Sequence, residues 1–327
     1  MSIHAKIKRL LCCCVTLVLL QTPHLYGLNL VYNLKLRRAF DATSLLAKSQ
    51  EKPEKISLQK VLVTALPIFY KQKRHIVIPS INKDVHEKTH LIGSLFNVRA
   101  MTSNFWWAEL TTGVERQTVT SAGTQSFKIA ATGIDDIVIS VGKDFLFKDG
   151  AQLVVYGIAG APFQQDVTAL EAGTTLVGSR FYGLGAGSEF SYAFINKEER
   201  VLTGFLQVRL VHFFSRSWYP ILAFGDYIQP GNTTDVFAVI RYREKKNAVE
   251  IGYNPTFFTN QAADLKAGKV KSPHYVRNSF YSAYEHLFDK SPLLKAPGTI
   301  GAGLNIGRIN LFDTKIISCW VTLTLLF

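Results

Sequence analysis

The sequence predicts an all-β chain, an antiparallel transmembrane β-barrel of about twelve strands with an irregular N-terminal arm. Three observations predict it. Apolar and polar residues alternate with period two over runs long enough to cross a hydrocarbon layer at a tilt. Tyr182, Phe194, Phe257 and Tyr284 fall on the apolar parity near the ends of such runs, as in the aromatic girdles of membrane interfaces. The chain also begins with the layout of a secretory signal. A soluble sandwich would alternate too, but it turns its polar face to water and its apolar face inward.

Residues 1–27 read as a signal peptide. Lys6, Lys8 and Arg9 precede an apolar run from Leu10 to Leu20, followed by Pro23 and the small residue Gly27. An uncleaved anchor is the alternative, but Pro23, His24 and Asn29 interrupt the stretch, leaving it short of the ~20 residues of a spanning helix. Cys12, Cys13 and Cys14 lie inside the apolar run, too early for a lipidated N-terminus. Processing would leave only Cys319, so no intrachain disulfide is expected.

Residues 28–90 read as a basic N-terminal arm. The formal net charge of the chain is +13, and this segment holds 12 Lys and Arg against 5 Asp and Glu. Leu34, Leu36, Phe40, Leu45 and Leu46 mix with Lys35, Arg37 and Arg38, while Val61–Tyr70 and His75–Ile78 are short apolar pieces. A basic amphipathic segment could touch anionic lipid; a solvated face is the preferred reading. Nucleic acid is not an expected partner of an exported chain, basic though it is.

Residues 91–327 read as the barrel. In Phe105–Gln117 the even positions include Trp106, Ala108, Leu110 and Val114, and the odd ones Glu109, Thr111, Glu115 and Gln117. In Val201–Phe213, Leu202, Leu206 and Leu210 alternate with Thr203, Gln207 and Arg209. Strands are expected near 104–118, 124–131, 136–147, 151–160, 181–195, 200–213, 217–229, 233–243, 247–258, 275–289, 299–310 and 314–327, with a further pair available in 60–101. Lys148-Asp149-Gly150, Asn196–Glu199, Pro230-Gly231-Asn232 and Glu244–Asn247 are turn chemistry. One conflict follows. With both chain ends on the periplasmic side, this division puts the short Lys148-Asp149-Gly150 turn outside and the long 161–180 link inside. That inverts the usual rule and implies that a strand is wrongly divided.

Parity assigns Glu109, Glu115, Glu189, Arg209, Arg241, Arg243, Glu250, Arg277 and Glu285 to the inner face, since charges facing lipid are costly. They line the expected lumen. Two readings stay open: opposite charges pair and fill a small barrel, or they form a constriction that selects solutes. The most local expectation is a hairpin with Lys245 and Lys246 as its loop, which sets Tyr242 against Val249 and Arg241 against Glu250. Outward positions are expected to include Trp106, Leu110, Leu206, Leu210, Leu323 and Leu325.

No catalytic residue, cofactor or metal is expected. His212 and Ser215 are close in sequence but lack a nearby acid and an oxyanion hole. His75, His86 and His90 are too widely spaced and too loop-like for a metal site. Cys319 reads as a small hydrophobe on the outer parity. Gly183, Gly185 and Gly187 lie two apart on one strand face, where they leave room or allow curvature.

Gly133-Ile134-Asp135-Asp136 leading into Ile137–Phe147, then a hairpin and Ala161-Pro162-Phe163, resembles the transporter-like bacterial outer-membrane barrels of the phenol-degradation MetA type. Those carry Gly-x-Gly-Asp before a strand and Pro-Thr-Gly after the next. Here Asp135 replaces the second glycine and Thr-Gly is absent after Pro162. The likeness covers residues 104–327 in layout. It implies an outer-membrane channel of a Gram-negative cell for passive passage of small solutes, apolar ones included. The terminal period-two strand ending at Phe327 likewise resembles the segment read by the barrel-assembly machinery. The expected partners are therefore outer-membrane lipid, that machinery and small solutes. The alternatives are a non-conducting structural or adhesive barrel and, more remotely, a membrane hydrolase.

Overall fold

The computed structural model describes residues 58–78, 83–122, 127–147, 150–163, 182–197, 199–214, 227–229, 231–259, 262–265, 268–271, 274–291, 296–310 and 314–327. Residues 1–57, which include the expected signal peptide, lie outside this set. Its strands are β1 (Leu58–Ile78), β2 (Lys83–Thr102), β3 (Trp106–Ala122), β4 (Phe127–Ile134), β5 (Ile137–Leu146), β6 (Ala151–Ala161), β7 (Gly183–Asn196) and β8 (Arg200–Phe213). They continue with β9 (Tyr227–Gln229), β10 (Thr233–Glu244), β11 (Asn247–Phe258), β12 (Ala262–Leu265), β13 (Gly268–Lys271), β14 (Tyr275–Phe288), β15 (Gly298–Ile309) and β16 (Thr314–Leu326).

Each wall strand pairs antiparallel with the next, and β1 pairs with both β2 and β16, so the sheet closes on itself. β4 and β5 follow one another along β3, β4 against Val114–Ser121 and β5 against Trp106–Thr111. They fill one place in the wall, broken at Asp135-Asp136, where Asp135 N–H bonds the Gly113 carbonyl and Asp136 N–H bonds the Asp135 carboxylate. The wall therefore has twelve places. Closure removes the unpaired edges that an open sheet would expose.

Twelve is the expected count, reached by a different division. The wall reaches into the segment read as arm, since β1 and most of β2 lie before residue 91. The strands expected near 124–131 and 136–147 are one broken strand. Of the strand expected near 217–229, only Tyr227–Gln229 is described, and it lies outside the wall. This part, β9, pairs with β12 in a separate three-stranded sheet with β13.

This division resolves the orientation conflict. The tight connections 103–105, 147–150, 197–199 and 245–246 now lie at the end where β1 begins and β16 finishes. The long connections 162–182, 214–232 and 259–274 all lie at the other end. Short periplasmic turns and long extracellular loops are the usual arrangement. In the 147–150 turn, Phe147 N–H bonds the Ala151 carbonyl and Gly150 takes φ 84°, a conformation that favours glycine. Lys148 and Asp149 lie outside the described residues.

The exposed face of the wall is largely apolar and the buried face is largely polar. Trp106, Leu110, Leu206, Leu210 and Leu323 are exposed, as are the interfacial aromatics Tyr182, Phe194, Phe257 and Tyr284. Glu109, Glu115, Gln207 and Arg209 are buried. This is the reverse of a water-soluble sandwich and fits a wall with lipid outside. Leu325 departs from expectation: it is 8% exposed, next to Leu326, whose N–H bonds the Pro297 carbonyl of the 289–297 connection. Leu206 lies mid-strand on the outer face, so Leu206→Arg should destabilise the membrane-inserted barrel by about 2–4 kcal/mol. Denaturant titration in lipid vesicles measures this, and Leu206→Val, which keeps the outer face apolar, is the control.

Candidate functional site: the barrel interior

The interior is layered, and the layers follow from positions along each strand. The middle layer is apolar. Leu66 and Ile68 of β1, Leu95 and Met101 of β2, Trp107 of β3, Val154 and Tyr156 of β6 and Phe205 of β8 belong to one buried cluster. Phe237 and Val239 of β10, Tyr281 and Ala283 of β14 and Trp320 of β16 complete it. Its contributors come from eight wall strands, so it forms a girdle around the inside. Phe237 stacks on Tyr281 at 5.0 Å between ring centroids, and Tyr281 meets Trp320 at 6.4 Å.

Four of these rings lie over glycines directly opposite on the neighbouring strand. Trp107 faces Gly142, Tyr156 faces Gly187, Tyr281 faces Gly252 and Trp320 faces Gly303. A Cβ at any of the four glycines would overlap its ring. The wall supplies the space that the rings occupy. Gly187, the last of the three alternate glycines on β7, is thus room for a ring.

Charge flanks the girdle on both sides. Toward the loop end, Asp235 accepts from Arg209 at 2.6 Å and from the Thr256 hydroxyl at 2.7 Å. Arg277 donates to the Thr256 oxygen at 2.8 Å and lies 3.9 Å from Asp235. Two arginines from separate strands therefore converge on one carboxylate. Nearby, Gln207 donates to the Tyr156 hydroxyl at 2.9 Å and reaches Glu189 at 3.4 Å.

Toward the turn end, Arg241 donates to Glu250 and to Glu285, each at 2.8 Å. The β10–β11 register is the expected one, with Glu244 opposite Asn247, Tyr242 opposite Val249 and Arg241 opposite Glu250. Lys245 and Lys246 form the turn, with Lys245 at φ 53°. On the far side, the Trp107 indole donates to Asp144 at 2.8 Å, and Arg99 lies over the Trp107 ring at 3.9 Å and 3.7 Å from Asp144.

Of the nine residues assigned to the inner face, eight are buried: Glu109, Glu115, Glu189, Arg209, Arg241, Glu250, Arg277 and Glu285. Arg243, near the turn, is half-buried. The structure joins Arg241, Glu250 and Glu285 into one cluster and brings Arg209 and Arg277 to Asp235. Sequence reasoning missed Asp235, Asp144 and Arg99. Asp235 shares the parity of Phe237 and Val239, so hydropathy alternation fails there. Arg99 lies in the 60–101 stretch, where a further strand pair was available but no face was assigned.

His75 and His86 are on strands, not loops: they are register partners on β1 and β2 with rings stacked at 4.6 Å. No group of three metal-ligating side chains occurs among the described residues. His212 is exposed and bonds Asn232 at 2.7 Å; Ser215 lies outside the described residues. Cys319 is exposed on the outer face.

The sequence matches no protein-family model and no curated protein. The fold does match solved structures. An outer membrane channel from Pseudomonas putida F1 superimposes with a TM-score of 0.57 at 9% identity, over 85% of this chain and 100% of that one. The transport unit of the autotransporter AIDA-I from Escherichia coli gives 0.51 at 10% identity, over 88% and 97%. The chain has the fold of the outer-membrane β-barrels.

Proposed function

We propose that this protein is an outer-membrane channel for passive passage of small solutes, with the apolar girdle as its narrowest part. The carrying observation is the layered interior of a closed barrel whose outer face is apolar: charge at both ends and aromatic rings from separate strands between them. Such a girdle resists water and ions more than small apolar molecules, because unpaired polar groups lose hydration there. The charged residues of the inner face line the path on this reading. The likeness to the Pseudomonas putida channel is one of fold and supports the same reading. No catalytic machinery is assigned. Outer-membrane lipid is the surrounding solvent, and the period-two strand β16 is the segment offered to the barrel-assembly machinery of a Gram-negative cell.

A second reading has its own observation. The interior arginines are buried and paired, Arg209 with Asp235 and Arg241 with Glu250 and Glu285, as in a sealed structural barrel. Planar-bilayer recording of the purified protein separates the two. The channel reading expects discrete openings, enlarged by Phe237→Ala, which removes a ring from the girdle. A silent bilayer with both wild type and Phe237→Ala supports the sealed barrel.

A further inference from the structure

The outer face carries a feature that passage through the interior does not use. Across six adjacent wall places at the loop end, one register row reads Arg308, Lys315, Lys73, Lys88, Thr120, Lys128. All five cations are exposed. Neighbouring strands lie about 4.8 Å apart, and like charges directly opposite one another on a sheet are destabilising. The adjacent lysines Lys315, Lys73 and Lys88 therefore favour an anionic counterpart. No acid occupies this row or the two exposed rows beneath it, which add Lys71 and Arg116. Those lower rows also hold the exposed apolar residues Ile317 and Ile92.

We propose that this belt binds the phosphate groups of lipid headgroups in the leaflet on the loop side. The position selects a lipid over a soluble anion. The cations stand in line along the outer face of the closed wall, two to four residues above side chains that face hydrocarbon. Lysine stems lie along apolar wall while their ammonium groups reach the interface. A basic cluster at this depth gains attraction from each anionic headgroup it meets. The inference needs the barrel in a membrane, not a conducting one, so it stands or falls apart from the channel.

The test uses the full chain in phosphatidylcholine nanodiscs doped with bisphosphorylated lipid A, with lipid retention read by mass spectrometry. Wild type should enrich the lipid, and enrichment should fall about fivefold for each lysine removed in Lys73→Gln, Lys88→Gln, Lys128→Gln and Lys315→Gln. Dephosphorylated lipid A should not be enriched, and inorganic phosphate should compete poorly. Unchanged enrichment in a quadruple variant that keeps its heat-resistant folded band would overturn the proposal. So would equal retention of the dephosphorylated lipid, or efficient displacement by inorganic phosphate, which would mark a soluble-anion site. If the quadruple variant does not fold, Lys88→Gln and Lys128→Gln are read singly against the same outcomes.

Discussion

Gly252→Val is expected to abolish the folded barrel under conditions where wild type is stable. The Tyr281 ring occupies the space directly over Gly252, and it cannot move aside easily because Phe237 stacks on it and Trp320 lies beyond. Overpacking a filled interior typically costs about 1–3 kcal/mol, more where neighbours cannot yield. Loss of the heat-resistant folded form on a semi-native gel reads the effect. The decisive comparison is rescue. Tyr281→Ala alone should destabilise by about 3–5 kcal/mol through the cavity it leaves. Combined with Gly252→Val, the new side chain fills part of that cavity, so the double variant should be more stable than the sum of the two predicts. Strict additivity would show that ring and glycine do not share the space.

The second large effect is expected at Arg241. Arg241→Met leaves Glu250 and Glu285 facing one another in a buried layer without their shared cation. Removing one partner of a buried pair typically costs about 3–5 kcal/mol, because the remaining charge is uncompensated. Here two carboxylates lose the cation they share, and like charges at close range raise the penalty. Chemical denaturation in lipid vesicles at neutral pH should show the loss. Arg241→Met with Glu250→Gln and Glu285→Gln should regain much of the stability. Failure of that triple variant to improve on Arg241→Met would mean the arginine acts through packing of its stem.

The β10–β11 hairpin was legible because its turn is two residues long and both faces agree. Tyr242 and Val249 fall on the outer parity, Arg241 and Glu250 on the inner, and a one-residue slip breaks both matches. β1 was not legible for the opposite reason. Its outer face carries Lys71 and Lys73 and includes Pro67, so the apolar alternation that marks a lipid-facing strand fades toward the loop end and reads as a basic arm. The cation belt that obscured the strand in the sequence is also the feature that sets it apart in the structure. At Asp135-Asp136 two buried aspartates interrupt the apolar pattern, and one broken strand looks like two. The girdle was invisible for a general reason: where Phe237 and Val239 point inward and Ala238 outward, hydropathy no longer tells the faces apart.

The seam between β1 and β16 joins residues such as Thr64 and Thr324, whose hydroxyls meet at 3.1 Å across 260 positions of chain. The other strand pairings among the described residues join consecutive places of the wall, so they can form more locally and earlier. The seam cannot, because loop closure over that distance is the most costly entropic step and contributes only when everything between is in place. During biogenesis the backbone groups of Leu62 to Lys73 that finally face β16 therefore wait longest without partners. An open strand edge invites pairing with other chains, which makes the interval before closure the period when this chain most needs an escort.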